Sequence, residues 1–321
     1  MTAWSLTRSE TQRVLAKAFD MKSNPSAFRG VLADRTLLCL FEKSSLRTRV
    51  SLETGMTQMG GHAIAYMIKD SPLGVKESAE DTGAVVSRMV DGVTARVNTR
   101  QQLHGLSENA SIPIINALDD WAHPMQMLAD LQTIAEVKRC GTNFEGVSLA
   151  FVGDIQNNVT YDLMRIGCLM GMDVRVSGPD HPDFIPDPDV VADCNSMTKL
   201  GGGSAKVYAT AEEAVEGADF VYADSWFSYG IPADQKEMRL KELMPYQVNS
   251  DLMNLAAHDA TFLNCLPAIR GEEQTAEVLD GPQSVIFQQA ENRLHAQKAL
   301  LYHLLTFEIS GDAPEFPDLL A

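Results

Sequence analysis

The sequence predicts an α/β protein built from two doubly wound parallel-sheet domains. Three observations carry this. Short, nearly continuous apolar runs read as strands covered on both faces; amphipathic segments of helical length lie between them; and one break falls near the middle, where a polar helix ends and a new strand begins. In chain order the candidate strands are 36–41, 63–68, 92–97, 113–116, 147–152, 173–177, 220–223, 261–264 and 284–287. Helical patterns fill 49–59, 77–90, 124–139 and 161–170, and a last one runs over about 291–307. The break lies near 138–146, at Cys140-Gly141-Thr142-Asn143. The last helix follows the final strand and, on pattern alone, can pack on either half. Gly201-Gly202-Gly203 reads as a flexible turn, and the Pro/Asp-rich stretch 179–189 as a surface loop.

With 321 residues the chain is long for one hydrophobic core and comfortable for two domains. A formal net charge of −17 makes nucleic acid and anionic membranes poor partners, because the overall field repels both. No apolar run approaches a membrane span, and the N-terminus lacks the order of a signal peptide. The five cysteines (Cys39, Cys140, Cys168, Cys194, Cys265) are scattered and odd in number. They argue against a disulfide framework or a structural zinc site, and for a reducing cytoplasm.

An anionic substrate therefore needs a few arginines gathered against the global charge. Strand 36–41 runs through Glu42-Lys43-Ser44-Ser45 into a helix whose first turn carries Arg47, Thr48 and Arg49. Ser44 and Ser45 suit an N-cap, and Gly60-Gly61 suits the other end of the helix. A helix N-terminus offers free N–H groups and a positive dipole end, so it binds anions. Arginine grips phosphate with two parallel bonds, and charge-assisted bonds contribute roughly 1.5–3 kcal/mol each. The alternative is a solvated basic first turn. Basic residues at that end are electrostatically unfavourable unless an anion joins them, which favours phosphate binding. A P-loop is excluded, since its glycine-lysine pattern is absent. A dinucleotide fingerprint also fails at Gly153-Asp154-Ile155-Gln156-Asn157.

Phe41-Glu42-Lys43-Ser44-Ser45-Leu46-Arg47-Thr48-Arg49 resembles the Ser-Thr-Arg-Thr-Arg signature of the aspartate/ornithine carbamoyltransferase family. Further matches follow in the family's order: Lys76 to Thr82, His123-Pro124-Met125-Gln126, Gly153-Asp154 with Asn157-Asn158, Asp224-Ser225-Trp226-Phe227-Ser228-Tyr229-Gly230, Cys265-Leu266-Pro267, and Ala290-Glu291-Asn292-Arg293. The resemblance implies an enzyme that moves the carbamoyl group of carbamoyl phosphate to the side-chain amine of ornithine, giving citrulline and phosphate. It implies a carbamoyl phosphate-binding domain at 1–138, joined by the C-terminal helix 291–321 packing back on it, and an amino-acid-binding domain at 139–290. It also implies a homotrimer in the cytoplasm, with no metal or organic cofactor.

The resemblance assigns carbamoyl phosphate to Ser45, Leu46, Arg47, Thr48, Arg96, His123, Gln126, the Leu266 carbonyl and Arg293. Arg96 and His123 join Thr48 on the carbonyl oxygen, where negative charge develops. Gln126 and Leu266 take the carbamoyl NH2. It assigns the amino acid to Asn158, Asp224, Ser228, Tyr229 and Cys265. Arg47, Arg96, His123 and Cys265 form the implied catalytic set. Local sequence alone reads Arg293 as half of a helix-surface ion pair and Cys265 as a buried thiol. An acidic Asp224 suits an ammonium-bearing substrate, and no arginine in 224–232 answers a second carboxylate. Four positions depart from the family pattern: Leu46 replaces Thr, Pro72 replaces Gln or His, Tyr229 replaces Met and Asn264 replaces His. Carbamoylation of putrescine or an N-acylated ornithine, and a degenerate anion-binding relative without turnover, are the alternative readings.

Overall fold

The computed structural model describes residues 5–70, 77–227 and 231–306. The chain divides into two compact units, Met1–Thr142 together with Glu291–Ala321, and Asn143–Ala290. The first unit contains α1 (Arg8–Ser23), β1 (Thr36–Phe41), α2 (Leu46–Gln58), β2 (His62–Met67), α3 (Ala79–Val86), β3 (Gly92–Arg96), α4 (Arg100–Glu108), β4 (Ile114–Leu118) and α5 (Pro124–Lys138). The second contains β5 (Ser148–Val152), α6 (Asn158–Met170), β6 (Asp173–Ser177), α7 (Pro188–Gly201), β7 (Ser204–Val207), α8 (Ala211–Val215), β8 (Phe220–Tyr222), α9 (Lys236–Leu243), α10 (Ser250–Met253), β9 (Thr261–Leu263) and α11 (Ala276–Leu279). A last helix, α12 (Ile286–Leu305), begins in the second unit and ends in the first.

The first sheet is parallel with order β2-β1-β3-β4. Alternation along β1 feeds two cores: Leu37, Cys39 and Phe41 on one face, Leu38 and Leu40 on the other. The first core takes Leu52 and Met56 of α2, Met125 and Leu128 of α5, and Ala296, Leu300 and Leu304 of α12. The C-terminal helix thus packs back on the first unit. The second sheet is parallel with order β7-β6-β5-β8-β9. In each sheet the strand order reverses once, between β1 and β3 and between β5 and β8. The crevice at the carboxyl ends of such a pair is where open α/β sheets take ligands.

The expected strand at 284–287 is not formed. One bridge joins Ser284 to Phe262, and the helix starts at Ile286, whose side chain enters the core beside Val278. Strand β7 escaped the sequence reading because it is half-exposed and carries Ser204 and Lys206. The glycine triplet is a packed helix end rather than a loose turn: Gly202 caps α7 at φ 78°, and a Cβ at Gly201 would lie 2.0 Å from the Leu169 carbonyl oxygen. The expected loop at 179–189 holds a short 3-10 turn, Pro182–Phe184, that buries Phe184, and its last two residues open α7 instead.

Candidate active site

In the first unit the carboxyl ends of adjacent strands collect the basic residues. Phe41 pairs with Arg96 in register, and Glu42 N–H donates to the Arg96 carbonyl at 2.9 Å. Ser45 is the N-cap of α2 with extended backbone, and its side chain makes no capping bond. Leu46 is exposed, Arg47 half-buried and Thr48 buried. Arg49 turns outward and pairs with Glu53 at 2.8 Å, so it does not share the Thr48 face. Arg293 is 3% exposed, contrary to a surface pair. Its Nη1 donates to Gln126 Oε1 at 2.7 Å and its Nη2 to Thr48 Oγ1 at 3.0 Å. Gln126 Nε2 donates in turn to Asp130 Oδ1 at 2.8 Å. Next to Arg293, Asn292 Nδ2 donates to Thr133 Oγ1 at 2.9 Å, which anchors α12 on α5.

His123 is the N-cap residue of α5, with Pro124 at the first helical position. Its carbonyl accepts the Gln126 N–H at 2.9 Å. Burial, followed by the fields of Arg293, Arg96 and Arg47, pushes its imidazole well below 6.5, so the ring is neutral at pH 7. All three arginines lie close enough to His123 for their charge to act on it. Lys43, beside Arg96, is also held below its ordinary value by burial and then by that guanidinium. The first unit therefore brings Arg47, Thr48, Arg96, His123, Gln126 and Arg293 together.

In the second unit Asp224 follows β8 and Cys265 follows β9. Cys265 Sγ donates to Asp224 Oδ1 at 3.0 Å, so the two come together. Asn158 opens α6, with Asn157 as its N-cap accepting from Thr160 N–H at 2.8 Å. Leu266 stands at φ 58°, a left-handed conformation that costs a non-glycine residue about 1–2 kcal/mol. Its N–H is held by Asn264 Oδ1 at 2.7 Å. Ser228, Tyr229 and Pro72 lie outside the described residues. Among the described residues no group of three or more His, Cys, Asp or Glu is arranged to hold a metal.

The carbamoyl-P binding domain of aspartate/ornithine carbamoyltransferases matches residues 1–136, and their Asp/Orn binding domain matches residues 145–304. The chain belongs to the aspartate/ornithine carbamoyltransferase family. A relative from Mycolicibacterium smegmatis named ornithine carbamoyltransferase is 43% identical over 300 residues, covering 94% of this chain and 96% of the relative. A Halobacterium salinarum relative, named as a catabolic ornithine carbamoyltransferase, is 43% identical over 296 residues, covering 92% and 95%. The crystal structure of ornithine transcarbamoylase from Giardia lamblia superposes with a TM-score of 0.87 at 44% identity, covering 95% of this chain and 96% of that one.

Several residues of this carbamoyltransferase have structural roles that the sequence did not reveal. Asp119 is buried, and its Oδ1 accepts from the N–H groups of Trp121 and Ala122 at 2.8 and 2.7 Å. Its other oxygen accepts from Asn116 Nδ2 at 2.9 Å, so it folds the loop that delivers His123. Asn264, a departure from the family pattern, is fully used. Its N–H donates to Gln289 Oε1 at 2.9 Å and its Nδ2 to Gln274 Oε1 at 3.1 Å, which fixes the turn bearing Cys265 and Leu266. Glu273 is 1% exposed; Oε1 accepts the Ile269 N–H at 3.0 Å, and Oε2 has no partner among the described residues. Burial pushes this carboxyl up from 4.5 to about 7, with Asp224 and Glu272 adding to the shift. The Asx-type signal of Asp119 was readable in sequence; the buried carboxyl had no local signal.

Proposed function

We propose that this member of the family transfers the carbamoyl group of carbamoyl phosphate to the side-chain amine of ornithine, giving citrulline and phosphate. The observation that supports it most directly is Arg293. A guanidinium 3% exposed donates to Thr48 and Gln126, and it joins Arg96 and Arg47 in acting on the buried His123, on a chain of net charge −17. Such a cluster is stabilised by an anion.

In this reading the first unit is the carbamoyl phosphate-binding domain and the second the amino-acid-binding domain. The α2 N-terminus with Ser45, Leu46, Arg47 and Arg293 takes the phosphate, and Gln126 Oε1, with a second lone pair, takes the carbamoyl NH2. Thr48, Arg96 and His123 stabilise the carbonyl oxygen. The neutral imidazole serves as a hydrogen-bond donor and brings no added charge. Asp224, Asn158 and Cys265, with Ser228 and Tyr229, take ornithine. The amine attacks the carbonyl carbon, the C–N bond forms, and the bond to phosphate oxygen breaks. With an amine pKa of about 10.4, the neutral nucleophile costs about 4–5 kcal/mol at pH 7. Desolvation of the amine, or transfer of its proton to the leaving phosphate, lowers that cost.

The enzyme works in this reading as a cytoplasmic homotrimer. Support comes from Ile64 and Tyr66, exposed on the sheet-edge strand β2, with Leu46 and Val50 exposed on α2 beside it. All five cysteines are free thiols, and no helix among the described residues is long and apolar enough to cross a membrane. An acceptor panel tests the substrate: ornithine, putrescine, acetylornithine, succinylornithine and aspartate. Ornithine is expected to give the highest kcat/KM for ureido product. Preference for putrescine or an acylated ornithine would replace this reading.

A further inference from the structure

The two loops that carry the amino-acid half-site leave β5 and β8, which pair directly at Phe151 and Tyr222. A third element, α9, reaches both. Arg239 on α9 is 4% exposed. Its Nη2 donates to Asp154 Oδ2, and its Nε donates to the Trp226 carbonyl at 2.9 Å. The guanidinium lies 4.8 Å over the Phe184 ring. Asp154 is itself the keystone of the α6 start, because its carbonyl accepts from Asn157 Nδ2 at 2.6 Å and its Oδ1 accepts the Gln156 N–H at 3.0 Å. Trp226 stands two residues after Asp224 and is wholly buried with Phe184 and Leu243. It presses on the β5 loop as well: a Cβ at Gly153, where φ is 125°, would stand 3.0 Å from Trp226 Nε1.

One side chain therefore ties the loop that leads into Asn158 to the main chain that follows Asp224. Asp154 points into this clamp and is spoken for by it. We propose that Arg239 is a positioning residue for the amino-acid substrate: it sets the separation between Asn158 and Asp224 by holding Asp154 and the Trp226 carbonyl at once. Planar guanidinium suits this because it directs two donors at fixed angles, which an ammonium does not. The inference rests on the ornithine reading given above.

The test compares Arg239→Lys, Arg239→Met and Arg239→Met/Asp154→Asn with the wild-type enzyme. Arg239→Met leaves a buried carboxylate without its cation and is expected to lower the thermal midpoint. It is also expected to raise KM for ornithine tenfold or more while KM for carbamoyl phosphate stays within twofold. The double variant removes the stranded charge, so the midpoint recovers; KM for ornithine stays high, because the clamp is still absent. Arg239→Lys keeps the ion pair but not the second bond, and is expected to fold normally with KM for ornithine raised several-fold. The proposal is overturned if KM for ornithine recovers together with stability in the double variant. It is also overturned if Arg239→Lys and Arg239→Met bind ornithine like wild type, or if both substrates weaken together. A wild-type enzyme that makes no citrulline removes the ornithine reading and this proposal with it. A normal wild type with unaffected variants removes this proposal alone.

Discussion

Arg293 is the residue on which the proposed phosphate site leans most. It holds Thr48 and Gln126 in place before any anion arrives. In the proposed reading Arg293 also grips the phosphate, and two charge-assisted bonds to it at roughly 1.5–3 kcal/mol each set the expected loss for Arg293→Met at about two to four powers of ten in kcat/KM for carbamoyl phosphate. KM for ornithine is expected to stay within twofold, as steady-state kinetics with each substrate varied will show. Glu273 makes a separate, pH-dependent contribution. Its carboxyl lies at about 7 in the folded chain against 4.5 ordinarily, so the folded state holds this proton more tightly. That stability is fully present below pH 4.5 and is lost as pH rises through about 7. Glu273→Gln can keep an acceptor for the Ile269 N–H but cannot ionise. Urea unfolding at pH 5 and pH 8 is expected to show the variant gaining on wild type at the higher pH, and a gain at the lower pH instead would contradict the assignment.

Elements were legible where one periodicity ruled and obscure where packing did. The run Thr-Leu-Leu-Cys-Leu-Phe at 36–41 needed no context, because both of its faces are covered. The Ser204–Val207 strand needed context, since its polar residues are tolerated at a half-exposed sheet edge. The Val285-Ile286-Phe287 run looked like a strand, yet the pairing supplies a single rung and the helix takes the rest. Gly201-Gly202-Gly203 carried the opposite lesson: glycine there permits close approach. Gly201→Ala would drive a methyl into the Leu169 carbonyl, and Gly203 lies 2.4 Å by the same measure from the Gly167 carbonyl oxygen. Gly201→Ala is expected to cost about 1–3 kcal/mol of stability, read as a lower urea midpoint. An unchanged midpoint would mean that the α6–α7 contact is loose.

At the scale of the molecule, what sequence could not carry was long-range pairing. The motif around Ser45 pointed to an anion, but nothing local placed Arg293, 245 residues from Thr48, in the same cluster. The family resemblance supplied that link, and the fold supplies its physical reason: adjacent parallel strands end together, and α12 returns to the first sheet. The exposed apolar edge of β2 belongs to this scale too. Tyr66→Glu places a charge on a surface proposed to meet a second copy, and is expected to turn a trimer into monomers in light scattering after size exclusion. A wild-type monomer would contradict the assembly. Carbamoyl transfer to ornithine moves one carbon from the donor to the amino acid, and that carbon can be followed. With 13C-labelled carbamoyl phosphate and ornithine, NMR is expected to show the label moving to the ureido carbon of citrulline with one phosphate released per label. Phosphate release without labelled citrulline, or no reaction of the labelled donor, would contradict it.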